Sequence, residues 1–558
     1  MTEKQKNIIA SISAFILYIL LIRMLMPFVY GIIDDRSMME IVSGQYLGHP
    51  DAHTIFMGYW YSLVLAGLYR LMPNVDWYAL LYLVMQGMCI SLISYRLISR
   101  YTEWIKKLIS LFIFYLLYST LGIRALTQLT FTTTAAVLGV TVVFWYLTTR
   151  YFTLKDVVIL SALGFLACQV RVSVFYMIVP VCGVLWLFRI SDVRMRQKWH
   201  LMIPLMVLGI LLLDILGNRI GYGSAKWQAY QQYNAERSLV YDYADYTFPI
   251  YEEAEDFYNS IGIEKKSRAR TLINYNYTAD ARISQEFFGD YIKAYQTAYP
   301  SEETLLEKIW QSTKDYIKGV LNKRFHLQHM LSLGLYVLLI LWYLFKKNYQ
   351  KSLKVIAVIG IQVLLWIYLL YEGRIPERVI YTMNLMLTVT ALLLCLEIVK
   401  KIPAKLRVNM LCVVFVILCV LTTAEGTKIR QQNLEISHRN QEIESLKEYC
   451  MEHPENFYFN DVTSLAFTTY NVHLWQKTPY QMNYMSLGDW MSFSPVWEEK
   501  LLQHKITSVQ EALYQQDHVY LICSFDKGLE YLISLYDNVT CTEIDKIPGF
   551  HIYRLQSL

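Results

Sequence analysis

Runs of apolar residues long enough to cross a bilayer recur along most of this chain, and no other feature restricts its fold as strongly. A helix needs about 17–25 such residues to span hydrocarbon, and runs of this order begin at position 8 and continue past position 400. Hydrophobic residues fill 55% of the 558 positions, and the mean hydropathy is +0.28. The sequence therefore predicts an α-helical polytopic membrane protein.

The apolar runs predict about eleven spans. They occupy residues 8–30, 77–98, 108–121, 129–147, 157–170, 172–188, 201–216, 331–345, 355–371, 379–399 and 408–423. A further run at 54–72 is rich in aromatic residues and contains Arg70. It is either a span or a re-entrant or juxtamembrane helix, because aromatic rings favour the headgroup region.

The distribution of Lys and Arg favours a juxtamembrane helix at 54–72. Short loops rich in Lys and Arg tend to stay in the cytoplasm. If 54–72 does not cross, all the basic loops share the cytoplasmic side with Lys4 and Lys6. These loops contain Arg96, Arg100, Lys106 and Lys107; Arg150 and Lys155; Arg189, Arg194, Arg196 and Lys198; Lys346, Lys347, Lys351 and Lys354; and Lys400, Lys401, Lys405 and Arg407. The predicted location is a plasma membrane with the N-terminus in the cytoplasm, and the net charge of +5 reflects topology rather than a nucleic-acid partner.

This topology leaves three polar segments outside. They are a first loop at 31–76 and an insertion at 217–326, both within a membrane domain at 1–424, and a tail at 425–558. The insertion, with a helix predicted at 303–321, either caps a cavity or covers the surface. The tail alternates helices (431–449, 509–515 and 529–535) with strands (457–459, 519–523, 539–544 and 550–555). That pattern predicts an extracytoplasmic α/β domain.

Two adjacent carboxylates, Asp34 and Asp35, follow the first span directly. Mutual repulsion and the low dielectric at the membrane edge raise the pKa of one of two such groups, which suits a general base near neutral pH. Either residue can take that role. The pair also offers hard oxygen ligands to magnesium or manganese, and a solvated turn is the third interpretation.

Other polar residues near the first span invite separate interpretations. His49, Asp51 and His53 have a His-x-Asp-x-His spacing, but Pro50 favours a structural turn over a metal site. Arg23 lies inside the first predicted span, where an ionisable side chain needs a polar partner. One candidate partner is Asp214, near the outer end of its own span.

Two stretches resemble the glycosyltransferase C superfamily, whose members take sugars from polyprenyl-phosphate donors. The stretches are DDRSMMEIVSGQYLGHPDAHTIFMGYWYSLVLAGLYRLMP at 34–73 and GRIPERVIYTMNLMLTVTALLL at 373–394. Several members have an acidic pair after the first span, then two juxtamembrane helices and a crossing helix, in the order found here. Where many members carry a second acid before the fourth span, this chain has Gln128. The resemblance covers about 8–423 and not the tail.

The resemblance implies an inverting transfer of sugar from a polyprenyl phosphate to a cell-envelope glycan or lipid on the outer face, with Asp34 or Asp35 as base. Arginine binds phosphate oxygens through paired hydrogen bonds. The arginines predicted at outer span ends are Arg124, Arg171, Arg219, Arg374 and Arg378. The resemblance also places Gln128, His53 and Tyr381 at the donor or acceptor pocket. Because Gln128 stands in place of the second acid, the sequence leaves open whether a divalent cation, magnesium or manganese, is bound.

Two other functions fit the same features. A transporter or flippase of lipid-linked saccharides also needs many spans, although transporters typically carry internal repeats and polar groups near the bilayer midplane. Here the ionisable residues gather at the outer boundary. A non-catalytic scaffold of the same fold is compatible with glutamine at position 128.

Overall fold

The computed structural model describes residues 1–190, 198–243, 245–300, 303–399, 403–466, 468–475, 481–524 and 526–557. Within these ranges, ten helices are long and apolar enough to cross a membrane. Four of the basic residues in the charge argument lie outside the described residues, namely Arg194, Arg196, Lys400 and Lys401.

The first part of the chain is a series of helices with two short strands. Its elements are α1 Glu3–Leu25, β1 Val29–Tyr30, α2 Ile33–Ser43, α3 Tyr59–Leu71, α4 Trp77–Ile98, α5 Trp104–Leu121, α6 Ile123–Thr127, β2 Gln128–Leu129, α7 Phe131–Thr148, α8 Leu154–Val170, α9 Val172–Ile190, α10 Lys198–Leu201 and α11 Ile203–Tyr222. The polar insertion contains α12 Ala225–Tyr241, α13 Glu255–Ser260, α14 Lys266–Ile273, α15 Phe287–Ala298 and α16 Leu305–Leu321. Four long helices follow: α17 His326–Phe345, α18 Tyr349–Tyr371, α19 Glu377–Val399 and α20 Ala404–Glu452.

Each of the eleven predicted spans overlaps a helix, although α1 ends at Leu25 and the predicted first span continues to residue 30. The shortest of these helices is α8, whose 17 residues measure about 26 Å. Helix α3 has 13 residues, which measure about 20 Å against roughly 30 Å of hydrocarbon. The run at 54–72 therefore forms a helix too short to cross, in agreement with the charge pattern.

A two-stranded parallel sheet determines where α2 begins. Strand β1 pairs with β2, and Tyr30 lies opposite Leu129. A side chain at Gly31 would come within 2.6 Å of the Cγ2 atom of Thr130, so glycine is required at this close approach. The start of α2, with both aspartates, is thereby held against the start of α7.

Helix α20 joins the membrane-length bundle to the tail without a break. Its 49 residues measure about 74 Å, more than twice the roughly 30 Å thickness of membrane hydrocarbon. The boundary predicted at 424/425 falls inside it. Two buried asparagines anchor its outer part: Asn433 donates to the carbonyl oxygen of Pro27 at 2.9 Å, and Asn440 accepts from the N–H of Thr469 at 2.9 Å.

The tail is a small α/β unit. Its elements are β3 Phe457–Asn460, α21 Val462–Leu465, β4 Tyr484–Ser486, α22 Pro495–Gln503, α23 Val509–Gln515, β5 Val519–Cys523, α24 Asp526–Ile533, β6 Val539–Ile547 and β7 Phe550–Ser557. The strands form one sheet in the order β4-β3-β5-β7-β6, with β3 parallel to β4 and β5 and with β7 antiparallel to β5 and β6. The predicted strands are confirmed. The three-residue β4 has no alternating pattern and is not predicted by the sequence.

The tail packs directly on the first loop. The N–H of Tyr30 donates to the carbonyl oxygen of Tyr470 at 2.9 Å, and the N–H of Val472 donates to that of Phe28 at 2.9 Å. The hydroxyl group of Tyr470 also donates to the buried carboxylate of Glu40 on α2. The tail therefore holds the helix that carries the aspartate pair.

We predict that Tyr470→Phe lowers the free energy of unfolding by about 1–3 kcal/mol, because the Glu40 carboxylate loses a hydrogen-bond donor while it stays buried. Denaturation in detergent micelles measures the change. The matched control is Tyr520→Phe on β5, where the hydroxyl group makes no hydrogen bond to a described residue and a change within about 0.5 kcal/mol is expected. Equal losses in the two variants would contradict the assignment.

Candidate functional site

A cavity of about 290 Å³ lies among the N-terminal ends of α9 and α19 and the C-terminal end of α18. Three arginines line it: Arg171 at the joint between α8 and α9, Arg374 just before α19, and Arg378 in the first turn of α19. One carboxylate, Glu372, lines it as well, and its apolar lining includes Val174, Met177, Leu365, Leu369 and Val379. The cavity thus combines a cationic part with an apolar part.

Two of the arginines share one aromatic ring. The guanidinium carbon of Arg171 lies 4.8 Å from the ring centroid of Phe131, and that of Arg378 lies 6.0 Å from it. Burial, together with the nearby charge of Arg378, lowers the pKa of Arg171 to about 10. No carboxylate in the described ranges forms an ion pair with Arg171, so this cation is available to an anionic ligand.

Ion pairs connect the other two arginines to different parts of the chain. Nη2 of Arg378 lies 3.3 Å from Oδ2 of Asp34, on the first loop. Nη2 of Arg374 lies 3.4 Å from Oδ2 of Asp242, and its guanidinium group stacks on Tyr243. The insertion therefore covers one side of the cavity, and the first loop reaches it from another.

Asp34 and Asp35 differ in their burial and in their partners. Asp35 is fully buried, and its Oδ1 accepts from the hydroxyl group of Tyr78 at 2.8 Å and from the N–H of Phe131 at 2.9 Å. Its Oδ2 has no hydrogen-bond partner among the described residues. Burial raises the pKa of Asp35 well above its usual value, and the neighbouring charge of Asp34 adds to the rise. The raised pKa expected for one of the pair thus belongs to the inaccessible carboxyl group, whereas Asp34 contacts the cavity's Arg378.

Three predicted site residues lie together, away from the described lining of the cavity. Gln128 accepts from Nε of Arg124 at 3.2 Å and donates to Oδ1 of Asn433 at 2.9 Å. Arg124 also pairs with Glu377 at 2.7 Å. The hydroxyl group of Tyr381 donates to the carbonyl oxygen of Leu121 at 2.6 Å. These contacts tie α5, α6, α19 and α20 together.

His53 belongs to a structural turn, the interpretation that Pro50 favours. Its Nδ1 lies 2.7 Å from Oδ1 of Asp51, its Nε2 lies 3.0 Å from the carbonyl oxygen of Gly221, and its ring stacks on Trp227. Arg219 is exposed in the last turn of α11 and is not among the described lining residues. Neither side chain joins the arginine cluster.

The partner expected for Arg23 is wrong. Nη2 of Arg23 donates to the carbonyl oxygen of Val472 in the tail at 3.4 Å, and the guanidinium group lies over Phe28. Asp214 instead accepts from Gln169 at 2.8 Å. The tail backbone, which the sequence of the span does not indicate, satisfies the arginine.

Both aspartates of the pair already have protein partners in this structure. Asp34 is paired with Arg378, and Asp35 is committed to Tyr78 and Phe131. Across the part of the chain that the structure describes, no group of three His, Cys, Asp or Glu side chains is placed to hold a metal ion. Three guanidinium groups around the cavity favour an anion instead.

Sequence reasoning missed Phe131 and Asp242, although Phe131 opens the fourth span only three positions after Gln128. No local sequence pattern marks either residue, because the Phe131 ring and the Asp242 carboxylate contact arginines that are distant in the chain. Comparison with known proteins adds no relative: no family model and no curated protein matches this sequence.

We predict that Asp35→Asn removes a pH dependence of stability. The raised pKa means that the folded state holds the Asp35 proton more tightly, so the free energy of unfolding falls as pH rises above about 4, by at most about 1.4 kcal/mol per pH unit. Asparagine keeps the acceptor for Tyr78 and Phe131 and cannot ionise. The melting temperature of the variant relative to the unsubstituted protein should therefore increase from about pH 4 to about pH 7. A relative melting temperature that falls over this range would show that ionised Asp35 stabilises the fold.

Proposed function

We propose that this chain is a multi-pass membrane glycosyltransferase of the plasma membrane. It transfers a sugar from a polyprenyl phosphate to a cell-envelope glycan or lipid acceptor on the outer face. The supporting observation is that Arg171, Arg374 and Arg378 line one cavity beside the ends of membrane-length helices, and that Asp34 forms an ion pair with Arg378. A lipid-linked phosphate is an anion that arrives at this boundary.

The cavity offers each part of such a donor a suitable surface. Arg171, Arg374 and Arg378 present guanidinium groups to the phosphate oxygens. Tyr176 of α9 and Tyr368 of α18 both line the cavity and are both more than half exposed. The space between these tyrosines is a route by which the polyprenyl chain leaves toward lipid, along the apolar wall.

The ion pair between Asp34 and Arg378 couples donor binding to catalysis. A phosphate bound at Arg378 competes with the Asp34 carboxylate and frees it. Asp34 then accepts the proton of the acceptor hydroxyl group while the acceptor oxygen bonds to the anomeric carbon and the bond from that carbon to the phosphate oxygen breaks. The arginines stabilise the departing polyprenyl phosphate. Attack opposite the leaving group inverts the configuration.

We expect Asp34→Asn to lower kcat about 10²–10⁴-fold, the usual contribution of a general base. Donor binding should persist or tighten, because Arg378 loses its competing partner. The matched control is the same substitution one residue later, Asp35→Asn, which alters a carboxyl group that no substrate reaches. Transfer from a panel of labelled polyprenyl-phosphate sugars in proteoliposomes measures both variants. Full turnover by Asp34→Asn would remove it as the base.

We expect Arg171→Gln to raise the KM for the donor about 10–100-fold, since a hydrogen bond to a charged group contributes about 1.5–3 kcal/mol. Arg124→Gln is the control, because this arginine also lies at an outer helix end but pairs with Glu377 away from the cavity. Its KM should change less than about threefold. Equal effects would indicate general electrostatic attraction rather than a phosphate site.

A further inference from the structure

Helix α16, the last helix of the insertion, has three distinct faces. One face is buried and contains Ser312, Tyr316 and Gly319. A second face is apolar and exposed, and its residues are Leu305, Leu306, Ile309, Trp310, Ile317 and Leu321. The third face is polar and contains Glu307, Gln311, Lys314, Asp315 and Lys318. A contiguous exposed apolar face of this kind marks an interaction surface.

The packing of α16 sets the depth of that face. The ring of Tyr316 lies 6.4 Å from that of Trp366, and Nζ of Lys308 lies 4.8 Å from the ring centroid of Tyr371. Both aromatic residues belong to the outer end of the membrane-length helix α18, and Trp366 lies about 8 Å from that end. The exposed apolar face of α16 is therefore level with the outermost turns of a predicted span.

We propose that α16 lies in the outer-leaflet interface, with its apolar face among the acyl chains. The proposal rests on the membrane topology stated under the proposed function and adds a lipid-binding surface to it. Trp310 suits the headgroup region, and Lys314 and Lys318, beside the apolar face, extend toward lipid phosphates. The adjoining α17 continues the apolar surface with exposed Leu327 and Leu331.

This surface helix also supports the wall of the cavity. Nζ of Lys308 pairs with Oδ1 of Asp245 at 2.8 Å. Asp245 is three residues from Asp242, which pairs with Arg374 at the cavity. Seating α16 in lipid therefore supports the position of Asp242 at the donor site.

Fluorescence quenching by brominated lipid tests the placement of α16. The full chain and Trp310→Phe are reconstituted in phosphatidylcholine vesicles whose acyl chains carry bromine near the headgroup or near the methyl end. The emission that Trp310 contributes is the difference between the two proteins. Bromine near the headgroup should remove most of that difference, and bromine near the methyl end should remove less of it.

Two further variants give the experiment its controls. Trp497→Phe alters a buried residue of the tail, so bromine should leave its contribution unchanged. Trp342→Phe reports on α17, a predicted span. If bromine quenches Trp342 but not Trp310, the placement of α16 is wrong and the topology stands. If it quenches neither, the membrane topology also fails. An unquenched Trp310 in a dimer that Ile317→Glu dissociates would assign the face to a second copy of the chain.

Discussion

The candidate site depends on the hydrogen bonds that the buried carboxyl group of Asp35 accepts. This carboxyl group links α2 to the first peptide N–H of α7 and to Tyr78 of α4. That link places Asp34, one residue earlier, within reach of Arg378, which lines the cavity. It also fixes the start of α7, where the ring of Phe131 supports two guanidinium groups. A group that no substrate reaches thereby determines the positions of those that a substrate would touch.

Carboxylates neutralise the positive charges of the cavity's arginines only in part. Arg171 is close to Arg378 and has no carboxylate partner in the described part of the chain, which disfavours its charged form. Asp34 and Asp242 neutralise Arg378 and Arg374 from two separate segments. An anion that enters the cavity would relieve this repulsion. The charge arrangement that costs stability in the free protein therefore favours binding of an anion.

The span map and most of the tail could be predicted because they depend on local patterns. Apolar length identified the position of each helix long enough to cross a membrane, and the strand at Val519–Cys523 was predicted with its observed bounds. The residues predicted for the site fall into two groups in the structure. Arg171, Arg374 and Arg378 share a cavity, whereas Arg124, Gln128 and Tyr381 hold helices together. All of them lie at or near the predicted ends of apolar spans, so sequence position alone does not separate the two groups.

The sequence by itself determined where along the chain the apolar helices lie, because the free energy of transferring a segment into hydrocarbon depends on that segment alone. It also placed the acidic pair beside the first of them. Only the tertiary structure decided which aspartate is accessible and which arginines meet. Burial and charge pairing depend on neighbours hundreds of residues away, as Arg378 beside Asp34 illustrates.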